Sequence, residues 1–200
     1  MKVVSEAEVR SLLTPQTALA IARDTLVSQS NGQSILSSPS AMSLNAVDLG
    51  GPRFKFKAAT VAHLKTSGIR LLARMSGQSG DNACNHVAIY DHAAGGYLTG
   101  LVSELWLSRI RTAAFGVAGV EALLPDRPLT IGLFGAGAIA DEIVPLLALA
   151  VSVKEFKVLS RRRESTLAFI GRHKRTFGDR IVSAVTPQDV VVDSDLVVTL

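Results

Sequence analysis

Three sets of residues in this 200-residue chain have types and spacings that could do chemistry. The first is Thr130-Ile131-Gly132-Leu133-Phe134-Gly135-Ala136-Gly137-Ala138-Ile139-Ala140, an apolar strand pattern running into G-x-G-x-x-A. Gly135 permits a tight turn. Gly137 lets backbone approach a pyrophosphate with no Cβ in the way, and Ala140 lets the next helix lie close to the strand. Ala138 and Ile139 open that helix, whose free N–H groups and positive dipole end suit phosphate oxygens. A glycine turn serving packing alone is the alternative. The strand before, the helix after and a second strand at the right distance favour a dinucleotide.

The second set, Ser160-Arg161-Arg162-Arg163, ends that second strand. An NAD site usually places Asp or Glu there, to accept hydrogen bonds from the ribose hydroxyls. No acid is available here. Ser160 can donate to a 2′-phosphate, and the fork of Arg161, with Arg162 in support, can pair with it or stack on adenine. The expected cofactor is NADP(H), with NAD(H) as the other reading. Residues 151–180 carry nine basic side chains against three acids, a local +6 in a chain of net charge +4, so the remainder sums to −2. Charge confined to one segment argues for a local phosphate site rather than nucleic acid. A solvated helix face explains it as simply.

The third set is scattered. Arg70 lies in the strand-like run Ile69–Ala73, and Arg111 in a long apolar helix whose start holds Glu104. Glu104 could orient Arg111, or merely favour the helix N-terminus. Arg111 could equally be a structural ion-pair arginine. His63, His86, His92 and His173 lack a pairing that would hold a metal on one helix face. The single Cys84 excludes a disulfide framework, has no neighbouring base, and reads as a surface or packing residue. Lys55 and Lys57 alternate on a strand and read as a solvated face, and Trp106 reads as core or interface.

The elements that must position these groups follow from pattern. Ser5 with Glu8 is a capping box. Thr14-Pro15 restarts a helix with Ala18, Leu19, Ala22 and Leu26 on its apolar face, and Gly32 stops it. Between residues 34 and 97 the signals turn to short strands, at 53–58, 69–73 and 87–90, with a turn at 91–96 before another. Residues 103–124 form the long helix, and Pro125-Asp126-Arg127-Pro128 makes the best domain boundary. Beyond it, strands are expected at 129–134, 156–160, 181–185 and 195–200, with helices at 137–150 and 163–177. That alternation means βαβ units and a parallel sheet, and a sheet of so few strands should leave an apolar edge.

Composition sets outer bounds. At 48% hydrophobic and 19% charged, with 16 Gly and 7 Pro, the chain is globular. Mean hydropathy is +0.31, yet the longest apolar stretches, such as Ile143 to Val153, fall short of the roughly 20 residues a bilayer needs. The start MKVVSEAEVR lacks a signal-peptide core, so a reduced, cytoplasmic setting is expected, without membrane or nucleic-acid partners.

Four stretches resemble the ornithine cyclodeaminase/mu-crystallin family: Val4–Gly32, GIRLLARMSG (68–77), SELWLSRIRTAAFGVAGVEAL (103–123) and TIGLFGAGAIADEI (130–143). The last is most similar to the branch making 2,3-diaminopropionate for siderophores. The resemblance implies an α/β chain with an N-terminal α+β substrate-binding and dimerisation domain (1–125) and an incomplete NAD(P)-binding Rossmann domain (128–200). It implies an NAD(P)-dependent oxidoreductase acting on the C–N bond of a small amino acid or imine, and a homodimer formed through the first domain. Arg111 matches the family arginine at the substrate carboxylate, beside the cofactor. Arg70 stands where the family usually has a lysine; arginine keeps the charge but holds its proton near neutral pH. Asn82 replaces a threonine near the cofactor. The family's other carboxylate-binding arginine falls near Ser38-Pro39-Ser40, where no basic residue stands. The family continues beyond Leu200 with more sheet and a catalytic aspartate, so a truncated chain with poor turnover is expected. A non-catalytic dinucleotide-binding protein, or gene fragment, is the alternative.

Overall fold

The computed structural model describes residues 1–74 and 84–200, so Asn82 lies outside the described residues. They form two compact units: Met1–Thr14 with Arg23–Ser108, and Pro15–Ala22 with Arg109–Leu200.

The first unit is built on a largely antiparallel sheet. Its strands are β1 (Lys2–Val4), β2 (Ser34–Leu36), β3 (Met42–Asn45), β4 (Arg53–Val61), β5 (Thr66–Arg74), β6 (Cys84–Asp91) and β7 (Tyr97–Ser103). They lie in the order β1-β7-β6-β5-β4-β2, with β3 also paired to β4. Only β1 and β7 run parallel. The expected strands at 53–58, 69–73 and 87–90 are the middles of β4, β5 and β6. Helix α1 (Glu6–Leu12) starts at the expected box, where Ser5 N–H donates to Glu8 Oε2 at 2.8 Å and Glu8 N–H returns to Ser5 Oγ at 3.3 Å. Strands β1 to β3 were not expected. Three or four residues hold too little alternation for a period of two to show.

Register assigns the faces of this sheet. Phe54, Phe56 and Ala58 lie opposite Ala73, Leu71 and Ile69, and residues directly opposite point to one side. The same side takes Met42 and Leu44 from β3, Ile35 from β2 and Val3 from β1. Val3, Ile35, Met42 and Leu44 are each more than half exposed, and Ile69 is exposed too. The opposite side carries Arg53, Lys55 and Lys57, all solvated, and Arg70.

Helices α2 (Pro15–Ser30) and α3 (Leu105–Glu121) each contribute to both units. The turn Pro125–Pro128 leads from α3 into the second unit's sheet: β8 (Leu129–Phe134), β9 (Val153–Leu159), β10 (Ile181–Ser183) and β11 (Leu196–Thr199). All pairs are parallel, in the order β10-β9-β8-β11. This is the first four strands of a Rossmann sheet, with β8 internal. The chain is therefore α/β, with a mixed α+β part followed by a parallel sheet. Helices α4 (Ala138–Ala150) and α5 (Arg163–Phe177) connect the strands. Ile131, Leu133, Phe156 and Val158 are fully buried with Val144, Leu147 and Phe169, and Phe156 meets Phe177 edge-on at 5.4 Å. On the other face lies α6 (Pro187–Val191), an unexpected helix. Its signal was local: Thr186 and Asp189 form a capping box around Pro187. A Cβ on Gly132 would collide with the Val190 carbonyl oxygen of α6, so glycine here is required by packing. Among the described residues β11 pairs only with β8 and exposes Val197 by 39%.

Candidate functional site

Buried β8 delivers the chain to a turn that only glycine makes comfortably. Gly135 has φ +120°, and its N–H donates to Leu159 O at 2.8 Å, tying the turn to the end of β9. A Cβ here would sit 2.7 Å from Leu200 O. Gly137 then caps α4 with extended backbone. A Cβ on it would point into open space; no protein contact demands glycine there. Ala138 starts the helix, Ile139 is half-buried, and fully buried Ala140 sets the helix against the sheet. A helix's first turn leaves backbone N–H groups without intrahelical partners, here beside a Cβ-free approach. The residues fit a pyrophosphate.

Around this turn opens a cleft of about 850 Å³, lined by Gly135, Gly137, Ser160, Arg161, Arg162 and Leu200 among others. Arg161 and Arg162 stand exposed on its rim. Ser160 lines the cleft and also bonds within its own turn. Its Oγ donates to Arg162 O at 2.8 Å and lies 2.9 Å from Thr166 Oγ1, which in turn accepts Ser160 N–H at 2.9 Å. The hydroxyl proton is thus used inside the turn. Ser160 shapes the loop, while the two arginines supply the cleft's positive charge. A second hollow of about 500 Å³ shares Leu159, Ser160 and Arg161 with the cleft and is lined further by Arg163, Thr166 and Val185.

Arg70 sits in the first unit and Arg111 in the second. Arg70 Nε lies 2.5 Å from both oxygens of Glu104, and its Nη2 donates to Ser108 Oγ at 2.9 Å. Glu104 is 1% exposed, and its N–H is held by Asn85 O at 2.9 Å. Glu104 therefore fixes Arg70, a pairing over 34 positions that no local spacing rule announces. Arg111 is half-buried on α3 and engaged in contacts.

A further cluster lies beside the glycine turn. Asp141, in the first turn of α4, accepts from Arg172 Nε and Nη2 at 3.1 Å each, and His173 Nε2 lies 3.0 Å from its Oδ1. Of the other histidines, His92 Nε2 lies 2.9 Å from Ser67 Oγ and His63 Nδ1 lies 3.4 Å from Ser28 Oγ. Among the described residues no helix is long and apolar enough to cross a membrane.

Strand order, glycine turn and cleft define the class: an α/β protein with a Rossmann-type sheet whose glycine turn follows its first strand. The chain belongs to the ornithine cyclodeaminase/mu-crystallin family, whose model matches residues 2–200. Solved structures share the fold. A probable ornithine cyclodeaminase from Bordetella pertussis Tohama I is 23% identical, with a TM-score of 0.83 over 100% of this chain and 60% of that one. The iminosuccinate reductase of Paracoccus denitrificans, solved with NAD+, is 19% identical, with a TM-score of 0.88 over 100% of this chain and 61% of that one. The Thermococcus litoralis Delta(1)-pyrroline-2-carboxylate reductase, solved with NADH and L-proline, is 12% identical, with a TM-score of 0.86 over 100% and 61%. This chain thus spans about 60% of the length of the solved structures it matches. Among curated proteins none matches it significantly in sequence.

Proposed function

We propose that this chain serves an NAD(P)-dependent oxidoreductase acting on the C–N bond of a small amino acid or imine, with NADP(H) preferred over NAD(H). The observation that carries this reading is the cleft at the Gly135–Gly137 turn, rimmed by Arg161 and Arg162 with no carboxylate at the end of β9. The backbone N–H groups of Ala138 to Ala140 hold the pyrophosphate, and Arg161 with Arg162 takes the 2′-phosphate. A bound nicotinamide supplies hydride transfer to or from the substrate α-carbon. Arg111 grips the substrate carboxylate. Arg70 contributes positive charge but does not move a proton, since an arginine keeps its own near neutral pH. The division of labour is substrate binding and dimerisation in residues 1–125 and cofactor binding in 128–200. The cellular setting is cytoplasmic, consistent with the lone Cys84, and within the family the 2,3-diaminopropionate branch fits the glycine turn best. The partner is a second copy, seated on the apolar sheet face of Ile35, Met42, Leu44 and Ile69; an archaeal alanine dehydrogenase of the same fold was solved as a dimer.

Fluorescence titration with NADPH and NADH tests the cofactor reading. Arg161→Ala should weaken NADPH far more than NADH; equal affinity, unchanged by that substitution, would overturn it. NADPH absorbance with 2-imino and 2-amino acids then tests the reaction. One observation favours the second reading, dinucleotide binding without turnover. Arg70, where the family usually has a lysine, is already committed to Glu104. Tight NADPH binding with no oxidation across a substrate panel would select it.

A further inference from the structure

Asp141 creates a conflict at the helix end that the proposed function assigns to the pyrophosphate. An acid in the first turn of α4 stabilises the helix through its dipole. The same charge opposes any phosphate drawn to that dipole. One helix end faces two demands of opposite sign.

Helix α5 supplies the resolution from 31 and 32 residues away. Arg172 grips Asp141 with a two-pronged contact, Nε and Nη2 each at 3.1 Å. His173 adds Nε2 at 3.0 Å. Both are held in place: the Arg172 guanidinium lies 5.6 Å over the Phe169 ring, and the His173 ring is 4.6 Å from Phe169 and 14% exposed. Lys174 of the same helix end is occupied separately, by Asp179 at 2.6 Å.

We propose that Arg172 and His173 are positioning residues of the dinucleotide site. Arg172 offsets the charge of Asp141 and His173 holds the same carboxylate by a hydrogen bond, so that the first turn of α4 carries both the acid the helix wants and the phosphates of the ligand. This inference rests on the proposed cofactor role. Neither residue touches the cofactor; both act through Asp141. The interaction concerns the pyrophosphate, so it serves NADPH and NADH alike, unlike that of Arg161.

Opposed signs make the test sharp. Dissociation constants for NADPH and NADH would be measured by fluorescence titration, and melting temperatures alongside, for the parent chain, Asp141→Asn, Arg172→Ala and the double variant. Arg172→Ala uncovers the acid and should weaken both dinucleotides by roughly threefold to tenfold, the scale of a charge near a helix terminus. Asp141→Asn should lower the melting temperature, yet bind both dinucleotides at least as tightly as the parent. The double variant should bind like Asp141→Asn. If Asp141→Asn weakens binding as much as Arg172→Ala does, the cluster is only a brace between helices and the inference is overturned. Should Arg172→Ala fail to fold, the sign of the Asp141→Asn effect still decides. A parent chain that binds neither dinucleotide would overturn the cofactor reading and this inference with it.

Discussion

Arg70 of β5 and Glu104 at the start of α3 form a nearly buried ion pair, with Nε 2.5 Å from both carboxylate oxygens and 18% and 1% of the side chains exposed. Removing one partner strands the other charge in a poorly solvated place. Glu104→Ala should therefore cost about 3 kcal/mol, at the lower end for a broken buried pair because Arg70 keeps some solvent. Urea unfolding measures it. A loss below about 1 kcal/mol, the level of surface pairs, would show that the pair is not buried in any energetic sense. Arg70→Met with Glu104→Met should cost less than Glu104→Ala alone, since two apolar groups leave no charge behind.

That pair also marks where sequence reading ends. The second unit was legible because its information is local: alternation, G-x-G-x-x-A, and strand-helix spacing all lie within one continuous βαβ unit, residues 129–159. Gly135, Gly137 and Ala140 lie between the end of β8 and the first turn of α4, as the pattern places them, and α6 carries its own local signal in Thr186, Pro187 and Asp189. Arg70 with Glu104, and Asp141 with Arg172, are ion pairs over 34 and 31 positions. Only the folded chain brings them together, and composition is blind to them. Ser160 shows a subtler limit. Its type suits a phosphate donor, and the structure adds a contact that type alone does not announce, from its hydroxyl to Arg162 O in the turn. The apolar sheet face was hidden for another reason: Val3, Ile35 and Met42 lie on strands of three or four residues, and only register reveals that they share a side.

Acid should weaken the second unit through Asp195. Arg127 and then the Thr130 N–H, at 2.9 Å from Asp195 Oδ2, hold its carboxyl below the ordinary aspartate value of 3.8. A lowered folded-state pKa means stability that is full above the unfolded value and lost as pH falls through the folded one. Melting temperature should therefore drop below pH 3.8, and Asp195→Asn should lower it at pH 7 while flattening the acid slope. An unchanged slope in that variant would remove Asp195 from the acid response. Glu8, Asp179 and Asp189 are lowered too, by Ser5, Lys174 and Thr186 respectively, so the slope should flatten without vanishing.

If a second copy covers the apolar sheet face, a single charge placed there should separate the pair. Ile35 is 68% and Ile69 39% exposed, so Ile35→Asp or Ile69→Lys adds charge without opening a core cavity. Light scattering behind size exclusion should give a dimer for the parent and a monomer for each variant, with the far-ultraviolet spectrum unchanged. A parent that is monomeric at tens of micromolar would dismiss this interface. Lys55→Asp, on the solvated side of the same sheet, should leave the dimer intact.

Gly135 and Gly137 are two residues apart, yet substitution should separate stability from binding cleanly. Gly135 holds φ +120°, and a Cβ there would meet Leu200 O at 2.7 Å. Gly135→Ala pays for both backbone strain and a close contact with the Leu200 main chain, so a loss of about 2 kcal/mol or more is expected. Gly137 has φ −91° and nothing within 4 Å of its Cβ position. Gly137→Ala should therefore melt within about 1 kcal/mol of the parent, the difference between glycine and alanine as a helix N-cap. What the methyl group would occupy is the approach to the first turn of α4. NADPH binding should fall at least roughly tenfold, the scale set by about 1.4 kcal/mol of lost contact. A Gly137→Ala chain that is both stable and binds normally would mean that the phosphates do not pass over this glycine, and the cleft at Arg161 would need another occupant.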